Sequence, residues 1–184
     1  MLRRGSFAGM VAVLAGVLVL HVGVSTASRK SRGACAGANT VPVDEATRRQ
    51  ATGAVLCLVN LLRERYGMRR VRVSMDLTVA ALQHSGDMVR RTYFSHDAPD
   101  QSFAVRMSRT GYARAHRRCT LSEAMAWSTN ATARRLVRML RRSPEHREIL
   151  LNPAQRDIGI GLTLGAPVRD EQTTSGTLVL AFGH

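Results

Sequence analysis

The chain has 184 residues, of which 45% are apolar and 4% aromatic, and it carries 27 basic against 13 acidic side chains. This length and apolar content fit one folded domain with terminal extensions and exclude an intrinsically disordered chain. The basic excess would attract anionic surfaces. No nucleic-acid recognition motif or aromatic stacking platform accompanies it, so we expect no specific nucleic-acid partner.

Residues 1–27 have the pattern of a secretory signal peptide. Arg3 and Arg4 precede an apolar run over residues 9–24, and small residues at 25–27 offer a cleavage site. That run is shorter than the roughly 20 residues that span a bilayer, so cleavage is favoured over a retained membrane anchor. We therefore expect a secreted, extracellular protein that meets a membrane only through an uncleaved signal. Cleavage would remove two arginines and leave 25 basic and 13 acidic residues, a net charge of +12.

Three cysteines follow the signal, at Cys35, Cys57 and Cys119. In an oxidising compartment two of them are expected to form a disulfide and to leave one thiol. A Cys35–Cys57 bond would join the N-terminal arm, residues 28–43, to the first helix. A Cys57–Cys119 bond would join that helix to the middle of the domain. The sequence leaves these pairings, and Cys35–Cys119, open.

The first predicted helix begins after Asp44, which is placed to cap it, and runs to about Tyr66, where Gly67 stops it. Helical spacing predicts an inward face made of Val55, Leu58, Val59 and Leu62.

The second predicted helix runs from Asp76, its expected cap, to about Arg91. Its apolar face repeats at i, i+4, i+7 and i+11 through Leu77, Ala81, His84 and Met88. Because His84 lies on that face, we interpret it as a core histidine rather than a ligand.

The second half of the chain predicts helices first and strands last. Residues 97–120 are irregular apart from a short helix near 103–109. Asn130 is expected to cap a third helix to about residue 142. Ser143 then caps a fourth, with Pro144 at its first position, where proline is best tolerated.

Two apolar segments near the end, residues 157–164 and 177–182, predict strands that form a hairpin. The expected fold class is therefore α+β, with helices packed on a small antiparallel sheet.

Three polar groups distant in sequence are candidates for a common site: His96, Glu123 and His146. The gaps of 27 residues (123 − 96) and 23 residues (146 − 123) mean that only a folded domain could bring them together. His146 falls at the third position of the fourth helix, where the helix dipole favours neutral imidazole. Two imidazoles and a carboxylate could hold zinc or another divalent metal with an open water position. They could also act as acid, base and orienting group without metal. The plainer interpretation is that each histidine only bonds nearby backbone.

Several segments over roughly residues 52–183 stand in an order typical of one family. They are Cys57-Leu58-Val59-Asn60 with Arg63, Tyr93-Phe94-Ser95-His96, Ser143-Pro144-Glu145-His146-Arg147 and Ile158-Gly159-Ile160-Gly161. In these segments the chain resembles the bacterial secreted CAP-domain proteins, of the cysteine-rich secretory, antigen 5 and pathogenesis-related superfamily.

The resemblance implies an α-β-α sandwich with a central cleft, formed here by residues 44–184. In that family two histidines and one or two glutamates face the cleft, and some members bind zinc or other divalent ions there. Carried over by position, these residues are His96, His146 and Glu123. The usual Gly-Glu-Asn context of the glutamate is Ser122-Glu123-Ala124 here, and Ser143 lies near where a second glutamate would be.

The resemblance favours an extracellular binding module whose cleft holds a divalent metal and an apolar, lipid-like or cell-envelope ligand. The alternative is a metal-dependent extracellular hydrolase that acts through His96, Glu123 and His146, as nucleophile-activating and metal-binding groups. Electrostatic binding to an anionic polymer is a third hypothesis, since it needs only the positive charge.

Overall fold

The computed structural model describes residues 35–116, 118–169 and 174–184, so the predicted signal lies outside the described residues. In these ranges no helix is both long and apolar enough to cross a membrane. The helices are α1 (Glu45–Arg65), α2 (Met75–Arg91), α3 (Phe103–Ser108), α4 (Gly111–Ala115), α5 (Ala133–Arg142) and α6 (Pro144–Leu151). The strands are β1 (Arg72–Val73), β2 (Leu121–Ser128), β3 (Asp157–Leu164) and β4 (Gly176–Gly183).

The strands form one sheet in the order β1-β3-β4-β2. The predicted hairpin is confirmed, since β3 and β4 pair antiparallel. Strand β2 adds to β4, also antiparallel, while β1 pairs parallel with β3, so the sheet is mixed rather than purely antiparallel. The sequence did not predict β2, because its segment LSEAMAWS lacks β-branched residues and carries a glutamate inside.

The sheet lies between two helical layers, as the α-β-α sandwich predicted. Helix α2 covers one face, against β3 and β4, and helices α1, α5 and α6 cover the other. The predicted apolar face of α2 is buried at all four positions, including His84. On α1 the predicted face is also confirmed, with Leu58 only partly buried.

Two predicted helix caps were wrong. Ser74, not Asp76, caps α2, because its Oγ accepts the N–H of Leu77 at 3.4 Å. Thr132, not Asn130, caps α5 in the same way, accepting the N–H of Arg135 at 3.2 Å. A cap side chain accepts an N–H of the first helical turn, two or three residues further along, and each predicted cap was two residues out of place. The caps of α1 and α6, Asp44 and Ser143, are confirmed.

Arg63 on α1 is completely buried without a carboxylate partner among the described residues. Its guanidinium donates instead to backbone carbonyls, and burial lowers its pKa. The acceptors lie before β1 and around the end of α6: Arg69, Leu150, Asn152 and Gln155. One side chain therefore joins α1 to two separate loops.

The disulfide joins Cys35 to Cys57, so the first of the three open pairings is the right one. It fastens the described end of the N-terminal arm to α1. Cys119 is the free thiol within the part of the chain that the structure describes.

Candidate functional site

Glu123 lies at the centre of a buried polar cluster on the α2 side of the sheet. It projects from β2, and its side chain is only 1% exposed. Its Oε1 accepts a hydrogen bond from Nδ1 of His96 at 2.9 Å, because an ionised carboxylate can only accept. The fold thus brings together two of the three residues singled out from the sequence.

Arg106, on α3, is the main partner of Glu123 and was missed by the sequence analysis. Its two terminal nitrogens donate to the two carboxylate oxygens, each at 3.0 Å, and its side chain is 10% exposed. Nη2 also donates to the backbone oxygen of His96 at 2.9 Å. One guanidinium therefore holds the carboxylate and the loop that carries His96.

The loop before α3 is closed by a short local bond, which positions Arg106. The Asp97 carboxylate accepts the N–H of Phe103 at 2.6 Å, and Ser102 caps the helix. The ring of Phe103 then lies 5.5 Å from the Arg106 guanidinium and 6.4 Å from the His96 ring. Packed on an aromatic face, the guanidinium keeps the fork geometry that two parallel hydrogen bonds require.

The charge state of Glu123 follows from two opposed effects. Burial alone would raise the pKa of this carboxyl, but the hydrogen bonds from His96 and then Arg106 outweigh it, and the pKa lies below its ordinary value. Glu123 is therefore an ionised carboxylate with hydrogen bonds at both oxygens at neutral pH, which makes it a weak proton acceptor.

His84, on α2, is a further member of the cluster rather than a simple core residue. Its side chain is 1% exposed, and Nε2 lies 3.0 Å from the backbone oxygen of Ser95 and 3.8 Å from Oε1 of Glu123. Burial lowers its pKa despite the attraction of Glu123. The neutral ring donates through Nε2, and its buried Nδ1 has no hydrogen-bond partner among the described residues.

His146 occupies the third position of α6, as predicted, with its N–H directed at the Ser143 hydroxyl. Its ring centroid lies 6.5 Å from that of His96, so it is a neighbour of the Glu123 pair rather than a partner in it. Burial lowers its pKa, with a smaller contribution from His96. The imidazole is therefore neutral at neutral pH.

Glu123 is poorly suited to hold a divalent cation in this arrangement. In the described ranges no group of three or more His, Cys, Asp or Glu could hold a metal ion. Both oxygens of Glu123 accept hydrogen bonds from Arg106, whose positive charge would oppose a cation there. Zinc at His96, Glu123 and His146 stays a prediction from the sequence.

An apolar pocket of about 220 Å³ lies beside His146, along the outer strand β2. Apart from that histidine, its walls are apolar: Phe94, Met125, Ala126, Trp127, Met139 and Leu140. His146 therefore lies between this pocket and the His96–Glu123–Arg106 cluster. Trp127 is the only tryptophan of the chain.

The buried imidazole of His84 and the partly buried imidazole of His146 predict a stability that falls in acid. His84 and His146 have pKa values below the ordinary 6.5, so unfolding lets them take up protons. The free energy of unfolding should therefore fall as the pH drops below about 6.5. It should fall further below 4.5, the ordinary value of a glutamate, as Glu123 loses its ion pair. Urea unfolding at a series of pH values measures the free energy of unfolding in both pH ranges.

A His84→Gln variant keeps a donor for the Ser95 carbonyl but does not titrate. It should reduce the loss of stability between pH 6.5 and pH 4.5, where His146 still takes up a proton, and leave the loss below pH 4.5 unchanged. A wild-type stability that is constant between pH 7 and pH 5 would contradict the neutral state assigned to His84 and His146.

The chain is similar to one known protein family in sequence and to several solved structures in fold. The family model of the cysteine-rich secretory protein family, CAP, matches residues 56–179. No curated protein matches the chain by sequence.

Three bacterial structures share the fold. An outer surface protein of Borrelia burgdorferi has 15% identity and a TM-score of 0.60, over 73% of this chain and 92% of that one. An extracellular SCP-domain protein of Bacillus anthracis has 22% identity and a TM-score of 0.57, over 77% of this chain and 44% of that one. A cysteine-rich secretory protein of Staphylococcus aureus has 15% identity and a TM-score of 0.51, over 76% of this chain and 40% of that one. At these identities the likeness concerns the fold alone, and the chain spans less than half of the last two proteins.

Proposed function

Because the chain belongs to the cysteine-rich secretory protein (CAP) family, we propose that it is an extracellular binding module that takes the apolar part of a ligand into the pocket beside His146. The extracellular location is supported by the signal pattern of residues 1–27 and by the Bacillus anthracis relative, which is an extracellular protein.

The observation that carries this proposal is the apolar pocket next to a closed polar cluster. A pocket with apolar walls and few polar groups is typical of a small-molecule site, in which the polar groups orient the ligand. His146 supplies one neutral imidazole at the wall. The fitting ligand therefore has an apolar segment and one group that can hydrogen-bond.

The state of Glu123 favours binding over hydrolysis. A general base needs a free lone pair and a pKa close to the working pH. Both oxygens of Glu123 already accept hydrogen bonds, and its pKa is lowered. The alternative function, a metal-dependent hydrolase, is therefore the weaker candidate.

The proposal is tested by titrating octyl glucoside, an uncharged amphiphile, into the protein below its micelle concentration while Trp127 emission is followed. We expect a saturable change, because the single tryptophan lines the pocket. Met139→Glu places a carboxylate at the pocket wall and should weaken binding at least about tenfold, because the apolar part of the ligand would have to displace the water that solvates this charge.

The matched control is Val105→Glu, because the two side chains are almost equally exposed, 42% for Val105 and 41% for Met139, and Val105 does not line this pocket. It should leave binding unchanged. A signal that never saturates, or an equal loss in the two variants, would refute the apolar pocket as the binding site.

A further inference from the structure

A second, polar cavity lies on the α2 side of the sheet and shares no lining residue with the apolar pocket. It measures about 390 Å³, is open to solvent and lies between α2 and the segment of residues 101–114. Two carboxamides line it, Gln83 from α2 and Gln101 from the segment that precedes α3. The sequence pattern did not indicate this cavity.

Guanidinium groups dominate the charge of this cavity. Arg106, Arg109 and Arg114 line it, against a single carboxylate, Asp76. Neither Arg109 nor Arg114 forms an ion pair within the described part of the chain. Arg114 instead donates to the backbone oxygen of Arg109 at 2.7 Å, which holds its side chain against the α3–α4 segment. The cavity therefore keeps positive charge that is not paired with a carboxylate of the described residues.

The carboxylate of Asp76 lies against Gly111. A Cβ added to that glycine would come within 2.5 Å of Oδ1 of Asp76, so a larger residue would displace the carboxylate. The cavity thus carries an acceptor at one wall in addition to its guanidinium donors. Hydroxyl groups of a ligand could donate to this acceptor, while the guanidinium groups hold an oxyanion of the same ligand.

Arg106 is the buried group that this cavity shares with the Glu123 cluster. While its terminal nitrogens bond Glu123, its buried Nε has no hydrogen-bond partner among the residues described. A smaller cavity of about 250 Å³ shares Arg106 and both glutamines. Its two carboxylates, Asp87 and Asp100, are already paired with arginines, so they do not cancel the charge of the larger cavity.

We propose that the larger cavity binds a small ligand that carries one oxyanion together with hydroxyl groups, of the sugar-acid or sugar-phosphate class. Guanidinium groups recognise carboxylate and phosphate through paired, charge-assisted hydrogen bonds. The carboxamides of Gln83 and Gln101 both donate and accept, as hydroxyl groups require, and Asp76 accepts. The proposal does not depend on the apolar pocket and goes beyond the proposed function.

Isothermal titration of the mature protein at constant ionic strength tests this site. Glucuronate and glucose 6-phosphate are the two charged probes, and glucose is the uncharged one. We expect saturable binding of at least one charged probe, with glucose at least about tenfold weaker. Whichever of the two charged probes binds more tightly shows whether the site prefers a carboxylate or a phosphate.

A double variant, Arg109→Gln with Arg114→Gln, should weaken the charged probe at least about tenfold, because both guanidinium groups are exposed at the cavity and removable without loss of the fold. The matched control is Arg135→Gln with Arg138→Gln, which removes the same charge from exposed positions on α5, across the sheet. The control should bind within about twofold of the wild type, because screening leaves distant charges little effect.

Two results would overturn the proposal. One is the absence of saturable binding for both charged sugars. The other is an equal loss in the two double variants, which would mean attraction by the net charge alone. Octyl glucoside binding should be unchanged in the cavity variant, so a failure of this site is distinguishable from a failure of the apolar pocket.

Discussion

Replacing Glu123 by glutamine is expected to lower the free energy of unfolding by about 3–5 kcal/mol, because it leaves the buried Arg106 guanidinium without its counter-charge. The amide has nearly the same shape as the carboxylate, so the loss reports charge rather than packing. Urea unfolding at pH 7 followed by circular dichroism measures it. The Glu123 side chain is 1% exposed and that of Arg106 is 10% exposed, so water can do little to replace the missing carboxylate.

Two comparisons separate this buried pair from ordinary ion pairs. Adding Arg106→Met to Glu123→Gln removes the unpaired charge and should recover at least about half of the loss. Glu64→Gln breaks the exposed Glu64–Arg70 pair, which is shorter at 2.6 Å, yet it should cost less than about 1 kcal/mol. If Glu123→Gln cost no more than Glu64→Gln, the buried pair would not hold the site together.

The parts of the fold that the sequence predicted are those with strong local signals. The faces of α1 and α2 follow from helical spacing, and Ser143 with Pro144 marks the start of α6 without ambiguity. Strand β2 was missed because nothing in its local sequence distinguishes it. It is defined by its pairing with β4, which extends over eight residues of each strand. The two-residue strand β1 is likewise a product of its neighbour β3.

The site was predictable only in part, because some of its residues also lack a local signal in the sequence. His96 and Glu123 could be brought together through the family resemblance, and they are 2.9 Å apart. Arg106 could not be singled out, because one arginine in an arginine-rich chain carries no signal until the fold places it against a carboxylate. His84 was correctly expected to be buried, but its distance of 3.8 Å to Glu123 depends on how α2 lies on the sheet.

Some residues of the family signature serve the fold and not the site. Asn60 donates to and accepts from the backbone of Val71, at 3.1 and 2.8 Å, which holds the chain as it enters β1. Arg63 bonds the carbonyls around the end of α6. Both lie on α1, across the sheet from Glu123, so their presence in the signature indicates a shared architecture rather than a shared chemistry.

The second large loss of stability is expected when a glycine of β3 is replaced by alanine. Helix α2 lies so close to β3 that a Cβ at Gly161 would come within 2.2 Å of the backbone of Ala81, and one at Gly159 within 2.1 Å of the backbone of Leu77. Backbone atoms cannot move aside as a flexible side chain does, and glycine in a strand marks such close approach. Gly161→Ala should therefore cost more than about 4 kcal/mol or abolish cooperative unfolding.

The same substitution at Gly53 is the matched control. No atom of the described residues lies within 4 Å of a Cβ added there, and the residue is exposed within α1. Alanine should stabilise that helix by about 0.5–1 kcal/mol, because it restricts the unfolded chain. A Gly161→Ala protein with wild-type urea unfolding would contradict the close packing of α2 on β3. Since α2 carries His84 and one wall of the polar cavity, that packing also sets the distance from the helix to Glu123, and its loss would separate the cluster.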